Sequence, residues 1–488
     1  MSDVGIKSFA AYIPRLRLDR AAIAAAHAWA LPGLRGLAKG ERSFGSWDED
    51  AITMAVEAGR ACMATKLDGR VGSLIFASTS APFADLQNAS IVSGAVGLAA
   101  DTGTLDTSGS LRAGTSALIH ALKGNAADDV LVVAAENRLT KPGSAQEMQY
   151  GCGSCALRVG RGAVIAKLIG SASSISQFVD HFRANGQKYD YQWEERWIRD
   201  EGYLKIIPEA VSRLFEQTGL KSDAIDFLCV PGTVSGISAA IAKQLKIKPE
   251  AVVDNLSARC GDTGAVHPLM MLGLALEKAS PGQKILVVAL GAGCDVLLLE
   301  ATDGIRDRRP TATVTATLAR GCTDKNYLKL LSFSGELDLD WGMRSETDPK
   351  TALTQLYRAQ DQVTAFVGGK CTSCGTIQFP RMPACVNCGS TEPMAPYHLA
   401  DEPAKVATYT ADWLMFYLSP PLYVGLVQFD NGARVLMEMV DVDPASFDVG
   451  SPLRMVFRIK EKDSMRHYNR YFWKAAPALS GATSAPKV

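Results

Sequence analysis

Neither sign of charge predominates in this chain, in which 51 Lys and Arg are matched by 51 Asp and Glu over 488 residues. Lacking a basic surface, it has no electrostatic footprint for phosphates, so neither nucleic acid nor an anionic membrane is expected as a partner. No apolar run reaches the roughly 18 residues needed to cross a bilayer, and the first residues lack the basic-then-apolar order of a signal peptide. The expected location is cytoplasmic. Cysteine is sparse, at eleven residues. Seven of them, Cys62, Cys152, Cys155, Cys229, Cys260, Cys294 and Cys322, read as reduced thiols of a reducing compartment.

The other four form the most specific pattern. Cys371-Thr-Ser-Cys374 is followed by Cys385-Val-Asn-Cys388, and Gly375 and Gly389 trail the two pairs. Two such knuckles place four thiolates around one tetrahedral Zn2+ ion, and a closed thiolate set leaves no position for water. The expected metal is therefore structural.

The rest of the chain is long enough for about three domains, and its 47% hydrophobic content supplies large cores. Apolar β-branched runs (Gly72–Ala77, Asp129–Ala135, Ala224–Val230, Gln283–Leu290) read as buried strands. They alternate with amphipathic segments, Asp50 to Thr65, Ala113 to Gly124 and Pro208 to Thr218, which is an α/β pattern. Asp129-Val-Leu-Val-Val-Ala-Ala-Glu136 and Lys284-Ile-Leu-Val-Val-Ala-Leu-Gly291 are similar strands in similar settings, so two related halves are expected at 1–168 and 169–305. Residues 306–365 read as a linker with a helical lead-in, 366–392 as the metal ribbon, 393–474 as a small β-barrel and 475–488 as a disordered tail. The barrel rests on alternating runs that begin at Lys405, Tyr423, Arg434 and Pro452.

Three stretches carry a resemblance: Val4 to Leu18, the helix start at Asp48-Glu-Asp-Ala-Ile52, and Glu136-Asn-Arg-Leu-Thr-Lys-Pro-Gly143. With Gly261-Asp-Thr-Gly-Ala-Val-His-Pro268, which matches a Gly-Asn-Thr motif, they resemble hydroxymethylglutaryl-CoA synthase of the archaeal and bacterial type, in the thiolase superfamily. The region from about 350 to Trp473 resembles the DUF35 family, a rubredoxin-like zinc ribbon joined to an OB-fold. The resemblance implies a two-half, five-layered thiolase-like fold followed by ribbon and barrel. It also implies acyl-CoA as substrate or ligand, a homodimer through the thiolase-like core, and a possible partner thiolase subunit.

The same resemblance marks departures. The family's nucleophilic cysteine falls on Leu111, its acidic residue on Thr79, its histidine on Pro231 and its asparagine on Asp262. Leucine forms no acyl-enzyme, and a lone threonine does not exchange a proton near neutral pH as a carboxyl does. His267 and Asp262 are the expected replacements for acid–base work, with core packing the alternative for His267. Ser110 reads as backbone-bonded, Cys229 and Cys260 as inert buried thiols, and Cys152 with Cys155 as small packing residues. Arg306, Arg308 and Arg309 read as a solvated cluster, with a coenzyme A phosphate as the alternative, and Phe416 to Tyr423 as barrel structure, with the lining of an acyl-CoA channel as the alternative.

Two functions remain expected. One is carbon–carbon bond formation or cleavage on a CoA thioester within a complex, without the usual Cys/Glu/His set. The other is a non-catalytic acyl-CoA-binding scaffold subunit for a partner thiolase.

Overall fold

Asp50 begins the first long helix because its carboxylate accepts from Thr53 N–H while the Thr53 hydroxyl accepts from Asp50 N–H. That helix, Ala51–Met63, is almost entirely buried against strands Val4–Tyr12 and Gly153–Arg161. The computed structural model describes residues 3–479 apart from 125–126, 309, 311 and 343–350. They fall into two units, the first made of Met1–Ser46, Asp50–Ser93 and Leu98–Glu336, the second of Trp47–Glu49, Gly94–Gly97 and Leu337–Val488.

The first unit is built on a nine-stranded sheet. Its order is Phe227–Cys229, Lys284–Leu290, Gly293–Ala301, Ala166–Ile175, Val4–Tyr12, Gly153–Arg161, Asp129–Glu136, Val71–Ala77 and Gly103–Thr107. The repeat read from the sequence is visible in the ladder. Asp129–Glu136 lies parallel to Val71–Ala77 and antiparallel to Gly153–Arg161, as Lys284–Leu290 lies parallel to Phe227–Cys229 and antiparallel to Gly293–Ala301. The halves join where Gly5 and Ile6 pair with Lys167 and Ala166. Helices Ala113–Lys123 and His267–Lys278 pack on one another and on strands of both halves, forming the middle layer of the thiolase-like α/β architecture. Leu204–Thr218 and Ile237–Leu245 cover the other face of the second half, around Ile207, Leu214, Ile241 and Val288.

Two boundaries differ from the sequence reading. The stretch 312–336 is no linker: helices Val314–Ala319 and Tyr327–Phe333 belong to the first unit, and Cys322–Asp324 pairs with Leu16–Asp19. Tyr327 anchors it, its hydroxyl donating to the buried carboxylate of Glu147 at 2.8 Å. Arg309, from the basic cluster, lies outside the described residues, as does most of the expected tail. Strand Tyr468–Pro477 runs beyond 474, however, with Ala475 and Ala476 buried, so the tail does not begin at 475.

In the second unit, the expected helix before the knuckles consists of two short turns, Leu353–Arg358 and Gln360–Thr364. A three-stranded sheet of Ile377–Gln378, Val367–Lys370 and Ala395–His398 carries the four cysteines. The barrel closes in the order Ala404–Asp412, Leu422–Phe429, Arg434–Met439, Tyr468–Pro477, Pro452–Asp463. Its closing strand escaped the periodicity reading because Arg470 and Lys474 interrupt the apolar face, yet both are buried and paired, Lys474 with Glu438 at 2.9 Å.

Candidate functional site

Strand ends build the site. Strands 71–77, 103–107 and 129–136 run parallel, and their carboxyl ends deliver Thr79, Leu111 and Arg138 to one region. The ends of 227–229 and 284–290 bring Pro231 and Leu290 to the same place. Asp262 arrives on a loop clamped to Tyr150, with Asp262 N–H donating to Gln149 O and Gly151 N–H to Asp262 O, both 2.8 Å. Only glycine fits at 151, since a Cβ there would sit 1.9 Å from the Cys260 carbonyl oxygen.

Two cavities meet there. A narrow one of about 50 Å³ is lined by Leu111, Arg138, Tyr150, His181, Tyr203, Pro231 and Asp262 among others. A wider one of about 420 Å³ shares Leu111, Asp180 and His181 with it and adds Thr79. At roughly 10–15 Å³ per water-sized group, the narrow cavity takes about four such groups. It suits the short end of a ligand, with the wider cavity for the rest.

The narrow cavity holds several polar groups. Arg138 bonds Asp262 Oδ1 at 2.6 Å and stacks over the Tyr150 ring at 3.6 Å. Burial alone would lower Arg138, but Tyr150, Asp262 and Glu136 outweigh it and hold the guanidinium above its ordinary value. Burial pushes Asp262 up, yet His267, Arg138 and the Gly264 N–H beside it hold the carboxyl below the usual range. His181 lies on the short pairing of His181–Phe182 with Tyr191–Gln192, its Nδ1 3.1 Å from Asp180 Oδ2. Burial would lower this histidine, but the Asp180 hydrogen bond and charge raise it overall. Burial raises the Tyr150 and Tyr203 hydroxyls, keeping both as neutral donors.

The structure thus brings together Leu111, Pro231 and Asp262, with Thr79 on the adjoining cavity. His267 lies near enough to Asp262 to act on its carboxyl but enters neither cavity. That side chain is buried, Nδ1 accepting from Thr263 N–H at 3.0 Å and Nε2 donating to the Asn255 carbonyl at 2.7 Å, and it lines neither cavity. The reason is local: His267 opens the buried helix His267–Lys278 and ties its first turn to the preceding loop. Ser110 is likewise occupied, donating to the Gly291 carbonyl at 2.7 Å. Cys229 and Cys260 are buried off both cavities, and burial pushes Cys260 up to about 12. Arg138, Tyr150, Asp180, His181 and Tyr203 were not singled out from sequence. Arg138 was legible in the Glu136-Asn-Arg stretch, whereas Asp180-His181 belongs to no motif.

The cysteine site is compact. All four Sγ atoms lie within 4.8 Å of one another, with Cys371–Cys388 at 3.7 Å and Cys374–Cys385 at 3.6 Å. A tetrahedron with Zn–S of about 2.3 Å requires sulfurs about 3.8 Å apart, so the residues fit zinc.

Comparison with known proteins gives a consistent result. Hydroxymethylglutaryl-CoA synthase of Methanopyrus kandleri is 30% identical over 319 residues, covering 63% of this chain and 91% of the relative. The chain belongs to the hydroxymethylglutaryl-CoA synthase family. The family's enzyme from Caldivirga maquilingensis is 29% identical over 340 residues, 67% of this chain and 95% of the relative. Residues 215–297 match the 3-oxoacyl-[acyl-carrier-protein] synthase III C-terminal family, 364–393 the ChsH2 rubredoxin-like zinc ribbon domain, and 397–458 the ChsH2 C-terminal OB-fold domain. Among solved structures, PksG, an HMG-CoA synthase from Bacillus subtilis, superposes with TM-score 0.60 at 16% identity, covering 69% of this chain and 92% of its own. The structure of MvaS in complex with 3-hydroxy-3-methylglutaryl coenzyme A gives 0.57 at 20% identity, covering 68% and 92%. These show the fold. Among the described residues, no helix is long and apolar enough to cross a membrane.

Proposed function

We propose that the chain binds a CoA thioester in the paired cavities and makes or breaks a carbon–carbon bond on its acyl group by acid–base chemistry, without an acyl-enzyme. One observation carries the reading: Leu111 stands between the cavities where the resemblance puts the nucleophile, while Asp180–His181, Arg138–Asp262, Tyr150 and Tyr203 converge around it. Cleaving a β-hydroxyacyl thioester requires proton transfer at the β-oxygen and at the α-carbon, with stabilisation of the enolate oxygen. His181 is the proton carrier, its ring oriented by Asp180. Tyr203 and Tyr150 supply hydroxyl donors, and Asp262 positions Arg138. In this assignment His267 has a packing role.

The ribbon and barrel are similar to ChsH2 domains, with zinc holding the ribbon; work beside a thiolase-type subunit and a homodimer through the thiolase-like core are part of the proposal and follow from the family resemblance alone. The test is titration calorimetry of the full chain with acetyl-CoA and acetoacetyl-CoA, followed by a cleavage assay on 3-hydroxyacyl-CoA with and without a co-purified partner. Binding with turnover that His181→Ala reduces roughly 10²–10⁴-fold supports the reading. Binding with no turnover in either arrangement favours the scaffold function. No binding overturns both.

A further inference from the structure

Glu136 is a buried carboxylate that the reading above leaves without a task. It ends strand Asp129–Glu136, is fully buried, and spends both oxygens on one neighbouring turn. Oε1 accepts from Thr79 N–H at 2.8 Å and from the Thr79 hydroxyl at 2.9 Å, and Oε2 accepts from the Ser80 hydroxyl. Ser80 is itself oriented, since its oxygen accepts from Asn137 N–H at 2.8 Å. Thr79 lines the wider cavity beside Leu111 and His181. A hydroxyl has one proton to give. With that proton committed to Glu136, the Thr79 oxygen presents lone pairs to whatever enters.

We propose that Glu136 is a positioning residue: by taking the Thr79 proton it turns the Thr79 hydroxyl into an acceptor for a hydroxyl on the bound acyl group. The inference rests on the reading of the cavities as a CoA-thioester site, and it names the ligand as a 3-hydroxyacyl thioester. During cleavage the substrate hydroxyl proton passes to Thr79 Oγ1 as the Thr79 proton passes to the Glu136 carboxylate. The Cα–Cβ electron pair stays on Cα, which takes a proton from the His181 imidazolium, and the substrate oxygen becomes the carbonyl of the departing aldehyde or ketone. Glu136 thus restores behind Thr79 a carboxylate that the residue at 79 lacks. It needs to be ionised to do so. Burial raises Glu136, opposed by the Arg138 charge and by the Ser80 and Thr79 hydrogen bonds. The effect is therefore present at higher pH and lost as pH falls through this raised value.

The experiment compares binding of 3-hydroxybutyryl-CoA and butyryl-CoA by calorimetry to the full chain, in a pH series that starts near the ordinary glutamate value of about 4.3 and rises from there. The ratio of the two affinities cancels any titration that affects both ligands alike. The wild type should prefer the hydroxyacyl thioester by about 3- to 10-fold, the size of one net hydrogen bond, and lose the preference at low pH. Thr79→Val should bring the ratio to about one, and Thr79→Ser should preserve it. Glu136→Gln should remove its pH dependence. Equal binding of both thioesters by the wild type, a wild-type ratio in Thr79→Val, or an unchanged pH dependence in Glu136→Gln would overturn the inference while leaving the site reading intact. Binding of neither thioester would overturn the site reading and the inference with it. If Glu136→Gln does not fold, the two Thr79 variants still decide.

Discussion

His267 uses its whole hydrogen-bonding capacity inside the protein, which makes it a stability residue. His267→Ala should leave Thr263 N–H and the Asn255 carbonyl unpaired, at a cost of about 1–3 kcal/mol each. Urea denaturation should show a reduced midpoint, with CoA-thioester affinity near the wild-type value. His181 should behave in the opposite way. Its folded-state pKa is raised, so the native chain holds the proton more tightly than the unfolded one. Its stabilising contribution is complete below the ordinary histidine value of about 6.5 and disappears as pH rises through the folded value. His181→Asn should flatten that part of the stability–pH curve, as denaturation across neutral pH would show. A third expectation concerns Leu111. Intact-mass spectrometry after incubation with acetyl-CoA or acetoacetyl-CoA should show no acyl adduct, whereas a stable one mapped to Ser110 would contradict the assignment. Leu111 and Asp262 were legible because they sit in long local matches to a family motif. His181 was not, because its meaning comes from a two-residue pairing with Tyr191–Gln192 that sets its direction, and no spacing in the sequence encodes that pairing.

At the level of elements, strands with continuous apolar runs were legible to differing extents: 129–135 was expected and 129–136 is observed, whereas 224–230 was expected and only 227–229 is a strand. Where burial is supplied by paired charges, the pattern failed. Lys474 is buried with Glu438, and Arg470 with Asp463, so the strand that closes the barrel reads as polar. The metal knuckles needed no tertiary information because their geometry is local. The purified chain should carry about one zinc per chain, and Cys374→Ser should destabilise the ribbon while leaving the 1–305 region folded, since a four-thiolate site contributes folding energy directly to a small domain. Elemental analysis and limited proteolysis check the two parts. Absence of zinc from reduced, chelator-free protein would contradict the expectation.

For the whole molecule, the repeat of strand–helix order disclosed the two-half plan, but its limits were drawn too early. The segment 312–336 resembles a linker in composition and is tied down by distant groups, Leu16–Asp19 through a ladder and Glu147 through Tyr327. Such ties are invisible to any window of sequence. The central strand Val4–Tyr12 has a further consequence. Its neighbours in the sheet are Gly153–Arg161 and Ala166–Ile175, made some 150 residues later in synthesis. An apolar strand therefore emerges from the ribosome early and waits unpaired on both edges while its partners are translated, a period in which such edges recruit chaperones or neighbouring chains. Slowing translation between the first strand and residue 175 should therefore lower the yield of native protein, as soluble expression from recoded genes would show.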